Sequence, residues 1–329
     1  MKKNIALVYG GFSSEEVVSR KSVEGLLSFI DTNQYNLFPV HISTAKWSLE
    51  INNQSYLIDK NDFTATVNNE KLKFDLAYVT IHGTPGENGL LQGYFNLIGL
   101  PHSTCDVLSS ALTFNKFTCN NYLKGFGVSV ADSVLVRKGN TYNKYDILEK
   151  TGLPCFVKPN AGGSSFGITK VKQASELDEA IEKAFIEGNE VVIEQFIRGT
   201  ELTCGLYKSG DKHTVFPITE VVSKNDFFDF EAKYTVNMAD EITPARIPDE
   251  VATRIQSIAQ LIYNILDCKG IIRIDFILSE NRIFLLEVNT TPGMTLTSFI
   301  PQQIKAAGLN TFDVFSDVIE DNIHRAKAI

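Results

Sequence analysis

The chain has 329 residues, 43% of them hydrophobic and 21% charged, which allows two or three domains with a substantial core and suits a water-soluble α/β protein. Its formal net charge of -8 argues against a nucleic-acid surface, which would be basic, and its basic residues are scattered singly, as ligand contacts are. The apolar run at 5–9, ahead of Gly10-Gly11, is too short for a signal-peptide core or a membrane span.

Residues 5–9 read as a fully buried strand, followed by the turn Gly10-Gly11 and a helix carrying Val17, Val18, Val23, Leu26 and Leu27, the opening of a doubly wound sheet. Between it and a second buried strand at 76–81, residues 47–74 alternate apolar and polar side chains around Asn52-Asn53 and Asn68-Asn69, the pattern of β-hairpins decorating the first domain. From about Cys105 the pattern changes to short helices around Lys116, strands at 133–136 and 155–158, a glycine-rich loop at 160–167, a helix at 175–186 and a strand at 191–195. Strands at 202–207 and 214–218 follow, then a long polar and aromatic loop at 225–241. The helix expected at 249–266 is the clearest, with Val251, Ile255, Ile258, Ile262 and Ile265 on one stripe and Asp249 as its cap.

The five cysteines, Cys105, Cys119, Cys155, Cys204 and Cys268, are odd in number and never form Cys-x-x-Cys. That usage predicts thiols buried as small hydrophobes in a reducing cytoplasm.

The most informative stretch lies near the C-terminus. Two apolar, β-branched runs at 270–276 and 284–289, joined by a short polar turn at 279–282, predict a hairpin carrying Arg273, Asp275, Glu287 and Asn289. Residues two apart share a strand face, so Arg273 pairs in direction with Asp275 and Glu287 with Asn289. Oxygen donors on aligned faces suit Mg²⁺, which takes one or two carboxylates and completes its octahedron with waters and phosphates. Lys158, ahead of Gly162-Gly163-Ser164-Ser165-Phe166-Gly167, supplies a point charge beside backbone amides that can fold over phosphates, although neither the P-loop nor Gly-x-Gly-x-x-Gly is present.

In their order along the chain, Lys116, Lys158 before the glycine-rich loop, Glu194, Glu201, Arg273-x-Asp275 and Glu287-x-Asn289 resemble the ATP-grasp enzymes. Within them the chain is similar to the D-alanine:D-alanine ligases, through Gly10-Gly11 to Glu15 and Ser19, His82-Gly83 to Gly89, Lys158-Pro159 to Gly167, Glu231-Ala232-Lys233-Tyr234 and Asn289-Thr290-Thr291-Pro292-Gly293-Met294-Thr295. The resemblance runs from Ile5 to the final helices. Two departures stand out: Glu15-Glu16-Val17-Val18-Ser19 replaces the usual Glu-Arg-Glu-Val-Ser, and Gly86-Glu87-Asn88-Gly89 replaces Gly-Glu-Asp-Gly.

The resemblance implies an α/β ATP-grasp fold of three domains: a doubly wound N-terminal domain at 1–104, a central α+β lid domain at 105–194 and a C-terminal α+β domain at 195–329, with a mobile loop at 225–241. It implies ATP and two Mg²⁺ ions, with Mn²⁺ able to substitute, and ligation of two D-alanines through a D-alanyl phosphate for peptidoglycan precursor synthesis. Metal ligands would be Asp275, Glu287 and Asn289. ATP would meet Lys116, Lys158 and Lys233 at its phosphates, Glu194, Gln195, Phe196 and Ile197 around adenine, and Glu201 at ribose. Glu15 would take the ammonium of the first D-alanine with His82 near its carboxylate. Arg273 and the Gly293 amide would form an oxyanion hole, and Ser298 and Phe299 would bind the second D-alanine.

Glu15, Ser164 and Tyr234 would form a hydrogen-bonded latch across the domains. A cytoplasmic homodimer is implied, with no nucleic-acid or membrane partner. A dinucleotide-binding oxidoreductase lacks its glycine fingerprint here. An ester-forming sister ligase is disfavoured by Tyr234, which depsipeptide-forming relatives typically lack. A catalytically dead nucleotide binder is disfavoured because every expected position holds a competent residue.

Overall fold

The computed structural model describes residues 2–13, 15–162, 167–223 and 239–326. Ser164, Lys233 and Tyr234, and nearly all of the loop at 225–241, lie outside them. The N-terminal segment runs β1 (Lys3–Gly10), α1 (Glu16–Phe29), β2 (Tyr35–Ile42), β3 (Trp47–Ile51), β4 (Gln54–Asp59), β5 (Thr64–Val67), β6 (Glu70–Leu72) and β7 (Leu76–Val79). These strands form one sheet in the order β6-β5-β4-β3-β2-β1-β7. β1 is parallel to both β2 and β7, and residues 5 to 10 are buried on both faces, as the apolar run predicts.

The expected hairpins at 47–74 form, with Asn52, Asn53, Asn68 and Asn69 all at positive φ. Asparagine tolerates that region where β-branched residues do not. They extend the main sheet edge to edge rather than decorating it, because β3 pairs with β2 through Val40 opposite Leu49. On α1, Val17 is 63% and Leu27 43% exposed, and the inward face is built from Ser19, Ser22, Val23, Gly25 and Leu26. Small residues are needed there: a Cβ on Gly25 would lie 2.0 Å from the Met294 carbonyl oxygen, and Ser22 Oγ accepts the Met294 N–H at 3.2 Å.

Helices α2 (Leu90–Leu97), α3 (Val107–Phe114) and α4 (Lys116–Lys124) lead into a second sheet. It comprises β8 (Ser133–Arg137), β9 (Cys155–Pro159), β10 (Thr169–Val171) and β11 (Glu190–Gln195), with α5 (Lys144–Thr151) between β8 and β9 and α6 (Leu177–Ala184) between β10 and β11. Its order is β10-β9-β11-β8, all antiparallel. Val136, Val157, Ile181 and Ile193 belong to a core of its own.

The third sheet contains β12 (Thr200–Ser209), β13 (Lys212–Val215), β14 (Thr219–Ser223), β15 (Ala239–Ile242), β16 (Ile272–Ser279) and β17 (Arg282–Asn289). Its order is β15-β14-β12-β16-β17, with β13 also on β12. Helices α7 (Asp249–Ile265), α8 (Phe299–Ala306) and α9 (Thr311–Ala326) pack against it or beyond it. α7 buries Ile255 and Ile262 of the expected stripe together with Ala259 and Tyr263, while Val251, Ile258 and Ile265 are partly buried; Pro248, not Asp249, occupies the cap position, and Asp249 begins the helix. An acidic side chain there still complements the helix dipole.

Two packing relations cross the sheets. Cys119 and Leu123 of α4 share a core with Ile274 and Leu285 of the third sheet. Phe315, Val318 and Ile319 of α9 share one with Ile5, Leu7 and Tyr78 of the first. The first and third sheets are thus joined by a common core, and the second is not part of it. All five cysteines are free and buried, as their usage predicts. Among the described residues no helix is long and apolar enough to cross a membrane.

Candidate active site

Between the sheets lies a cleft of about 470 Å³. It is lined by Glu15, His82, Lys116, Lys158, Glu194, Gln195, Ile197, Glu201, Arg273, Asp275, Glu287, Asn289, Gly293, Ser298 and Phe299. Residues spread over the whole chain are therefore brought to one place. Among the described residues expected at the site, Phe196 is the exception: it lies outside the lining, packed against Phe156 with ring centroids 5.8 Å apart and with Lys170 Nζ 4.1 Å above its ring. Phe156 itself lines the cleft.

The floor is the β16–β17 hairpin. Asp275 stands opposite Glu287 and Arg273 opposite Asn289, with a bulge after Asp275, so the four polar groups face one another as their spacing predicts. Asp275 is held from several sides: Arg273 forks onto both its oxygens at 2.9 and 2.8 Å, Asn289 Nδ2 donates at 3.0 Å, and Thr203 Oγ1 donates at 2.6 Å. Thr203 is directly across β12 from Asp275. Sequence reasoning passed over Thr203, because its contact depends on a strand register that no local pattern reveals.

Around this floor stand cations. Lys116, first residue of α4, donates to the Gly162 carbonyl at 2.5 Å and lies 3.6 Å from Glu287. Its helix start is fixed by Asn115, whose side chain accepts the Thr118 N–H. Lys158 on β9 pairs with Glu194 on β11 at 2.6 Å, and both are almost fully buried, at 6% and 5% exposure. A buried pair of this kind holds its geometry because separating it would strand a charge.

At the opposite end, Glu15 is buried ahead of α1, and its carbonyl accepts the Val18 and Ser19 N–H groups. Gly83 has φ +69, and a Cβ there would lie 3.3 Å from Glu15 Oε2, which favours glycine at that approach. His82 has a buried Nε2 with no protein partner. Burial lowers its pKa, and Arg273 adds to this against the opposing pull of Glu15, so the ring stays neutral.

Glu87 also lines the cleft, and sequence reasoning noted it only inside a loop motif. Burial, then the Glu15 charge, push its carboxyl up to about 8, while its Oε2 accepts the Gly83 N–H at 2.6 Å. At the second-substrate end, Ser298 Oγ accepts the Thr295 N–H at 3.0 Å. The Phe299 ring receives Arg273 from above, 5.4 Å from Cζ to centroid.

Chemically, this is a cleft lined by the cations Lys116, Lys158 and Arg273, with Lys21 also on its wall, by two carboxylates with an amide on one hairpin, and by a separate acidic end around Glu15. Among the described residues no group of three His, Cys, Asp or Glu side chains could hold a metal alone. Two carboxylates and an amide fit Mg²⁺, which keeps phosphate oxygens and waters in its shell.

Family models described as the D-ala D-ala ligase N-terminus and the D-ala D-ala ligase C-terminus match residues 4–105 and 122–320. The chain belongs to the D-ala D-ala ligase family. Within that family it is similar to a D-alanine--D-alanine ligase of Phocaeicola vulgatus, 58% identical over 323 residues that cover 98% of this chain and 99% of the relative. Among solved structures it is similar to the VanG D-Ala:D-Ser ligase from Enterococcus faecalis, with TM-score 0.86 and 33% identity over 99% of this chain and 100% of that one. It is also similar to the D-alanine--D-alanine ligase from Bacillus anthracis complexed with ATP, with TM-score 0.80 and 28% identity over 99% of each chain. The three-sheet architecture is that of the ATP-grasp fold, the α/β class the sequence predicts.

Proposed function

We propose that this member of the family joins two D-alanine molecules into D-alanyl-D-alanine at the expense of ATP, through a D-alanyl phosphate, for peptidoglycan precursors. The observation that carries the reading is the convergence of Lys116, Lys158, Arg273, Asp275, Glu287 and Asn289 in one cleft, with Glu15 and His82 at its other end. A carboxylate does not react with an amine at neutral pH until it is converted to an acyl phosphate, a mixed anhydride that supplies both an electrophile and a leaving group.

Little covalent chemistry then falls to the protein, and its task is positioning and charge stabilisation. Lys116 and Lys158, with Lys233, hold phosphate oxygens. Glu194, Gln195, Phe196 and Ile197 surround adenine, in part through backbone groups, which would let Phe196 contribute while its ring packs on Phe156. Glu201 meets the ribose. Asp275, Glu287 and Asn289 hold Mg²⁺, two ions with Mn²⁺ as a substitute, which neutralises phosphate charge when bound.

Glu15 accepts from the ammonium of the first D-alanine, and neutral His82 faces its carboxylate. The oxyanion of the tetrahedral intermediate is received by Arg273 and the Gly293 N–H, and Ser298 with the Phe299 backbone takes the carboxylate of the second D-alanine. A latch of Glu15, Ser164 and Tyr234 closes the loop at 225–241 and excludes water from the acyl phosphate.

We place the domains at 1–104, 105–194 and 195–329, and the protein in the cytoplasm as a homodimer. A second reading concerns the acceptor alone: the Enterococcus faecalis structure is named as a D-Ala:D-Ser ligase, and specificity is a difference of small energies. The test is one incubation with Mg-ATP and equimolar D-alanine, D-lactate and D-serine, with products identified by mass. D-alanyl-D-alanine with ADP is expected. A mixed dipeptide or an ester would replace the acceptor, and absence of any ligation would refute the reading.

A further inference from the structure

The strand β12 carries an interruption at its centre. It pairs with β14 as far as Thr203 opposite Thr219, and with β13 from Leu206 opposite Val215. Between these ladders the Gly205 N–H and the Thr203 carbonyl point to a gap. The side-chain amide of Gln303, fully buried on α8, fills it: Oε1 accepts the Gly205 N–H at 3.0 Å, and Nε2 donates to the Thr203 carbonyl and to Thr219 Oγ1, each at 3.0 Å. One carboxamide thus does what a passing peptide unit of a neighbouring strand would do.

The two residues it grips have particular neighbours. Across the sheet from Thr203 is Asp275, and across from Gly205 is Arg273, and the Thr203 hydroxyl itself donates to Asp275. Gln303 lies on the helix that starts at Phe299, immediately after Ser298. The seating is close and exclusive: a Cβ on Gly205 would lie 2.4 Å from Ile300 Cδ1 and 2.5 Å from Gln303 Oε1. A second tie joins the same parts from above, where Arg273 covers the Phe299 ring.

We infer that Gln303 is a positioning residue that keys the helix bearing the second-substrate site to the strand beneath Arg273 and Asp275, and so sets the distance from the attacking amine to the acyl phosphate. The inference rests on the reading of Ser298 and Phe299 as the site of the second D-alanine. Mispositioning of a reactant by about 1 Å costs up to about 10²-fold in rate, so a loosened helix is read first in the handling of the second D-alanine.

The experiment is steady-state ADP release by the full chain over D-alanine and ATP concentrations, comparing wild type, Gln303→Met, Gln303→Glu and Ser298→Ala. Gln303→Met keeps the length of the side chain and removes all three hydrogen bonds. It is expected to raise the D-alanine constant of the second site about tenfold with the ATP constant within about twofold. Gln303→Glu, whose neutral carboxyl keeps one donor and the acceptor, is expected to restore most of the difference.

A merely structural role would lower thermal stability and change all constants together, and that result, or unchanged D-alanine constants, would overturn the inference. Ser298→Ala separates the two layers. If it raises the second D-alanine constant and Gln303→Met does not, Gln303 alone is misassigned; if Ser298→Ala has no effect, the site assignment fails and the inference with it. Should Gln303→Met not fold, Thr219→Val removes one acceptor of the same amide and is read in the same way, a smaller rise in the same constant being expected and no rise overturning the inference.

Discussion

Glu87 offers a test of the cleft that needs no substrate. Its carboxyl is pushed from the usual 4.5 up to about 8 by burial and by Glu15. Below the unfolded value both states hold the proton and the group costs the fold nothing. As pH rises between 4.5 and about 8, the unfolded chain releases the proton while the folded one keeps it, so stability falls with pH. The slope is about 1.4 kcal/mol per pH unit, or at most roughly 5 kcal/mol over the window.

Glu87→Gln is neutral throughout and keeps an acceptor for the Gly83 N–H. Urea unfolding of both proteins across the window isolates the effect, because other titrating groups cancel in the difference. Wild type should lose ground to the variant steadily as pH rises, and the difference should level off above the folded value. A difference independent of pH would show that Glu87 is ionised and solvated in the fold, and would refute the burial argument.

Two further substitutions probe the buried polar contacts. Lys158→Met leaves Glu194 buried without its cation and should cost about 3–5 kcal/mol, read as a lower melting temperature; adding Glu194→Leu should recover part of the loss, and a melting temperature unchanged in the single variant would show that the pair is dispensable. Thr203→Val removes the hydroxyl bonded to Asp275 at 2.6 Å with little change of shape, a loss of ~1–3 kcal/mol for a bond to a charged group. It should raise the Mg²⁺ concentration needed for half-maximal activity, and an unchanged Mg²⁺ requirement would detach Thr203 from the metal assignment.

What could be read from the sequence was what local chemistry decides. The Asp275, Glu287 and Asn289 constellation was legible because a period of two in a hairpin fixes which side chains face together. The asparagine pairs at 52–53 and 68–69 announced their turns because few residues accept positive φ. Thr203, Glu87 and Gln303 were not legible. Their roles depend on register, on burial and on an interrupted ladder, each set by parts of the chain far away in sequence. Val17 and Leu27 misled for the opposite reason: α1 buries Val23 and Leu26 as expected but also fits its neighbours through serines and a glycine, so hydrophobicity marked only part of its buried face. The short β10 and α5 carry too few apolar positions to show a period, and went unnoticed.

The shared core of the first and third sheets limits how such a protein can be recombined. Phe315, Val318 and Ile319, near the end of the chain, complete the core begun by Ile5 and Leu7 at its start. A graft exchanging only the first hundred or so residues for those of a relative would therefore confront a native helix with a foreign strand, and its seam would be buried. The second sheet, whose Val136, Val157, Ile181 and Ile193 pack among themselves, could be replaced as a cassette with its core intact. Inheritance by shuffling is thus open to the middle of this chain and closed to its two ends unless they travel together.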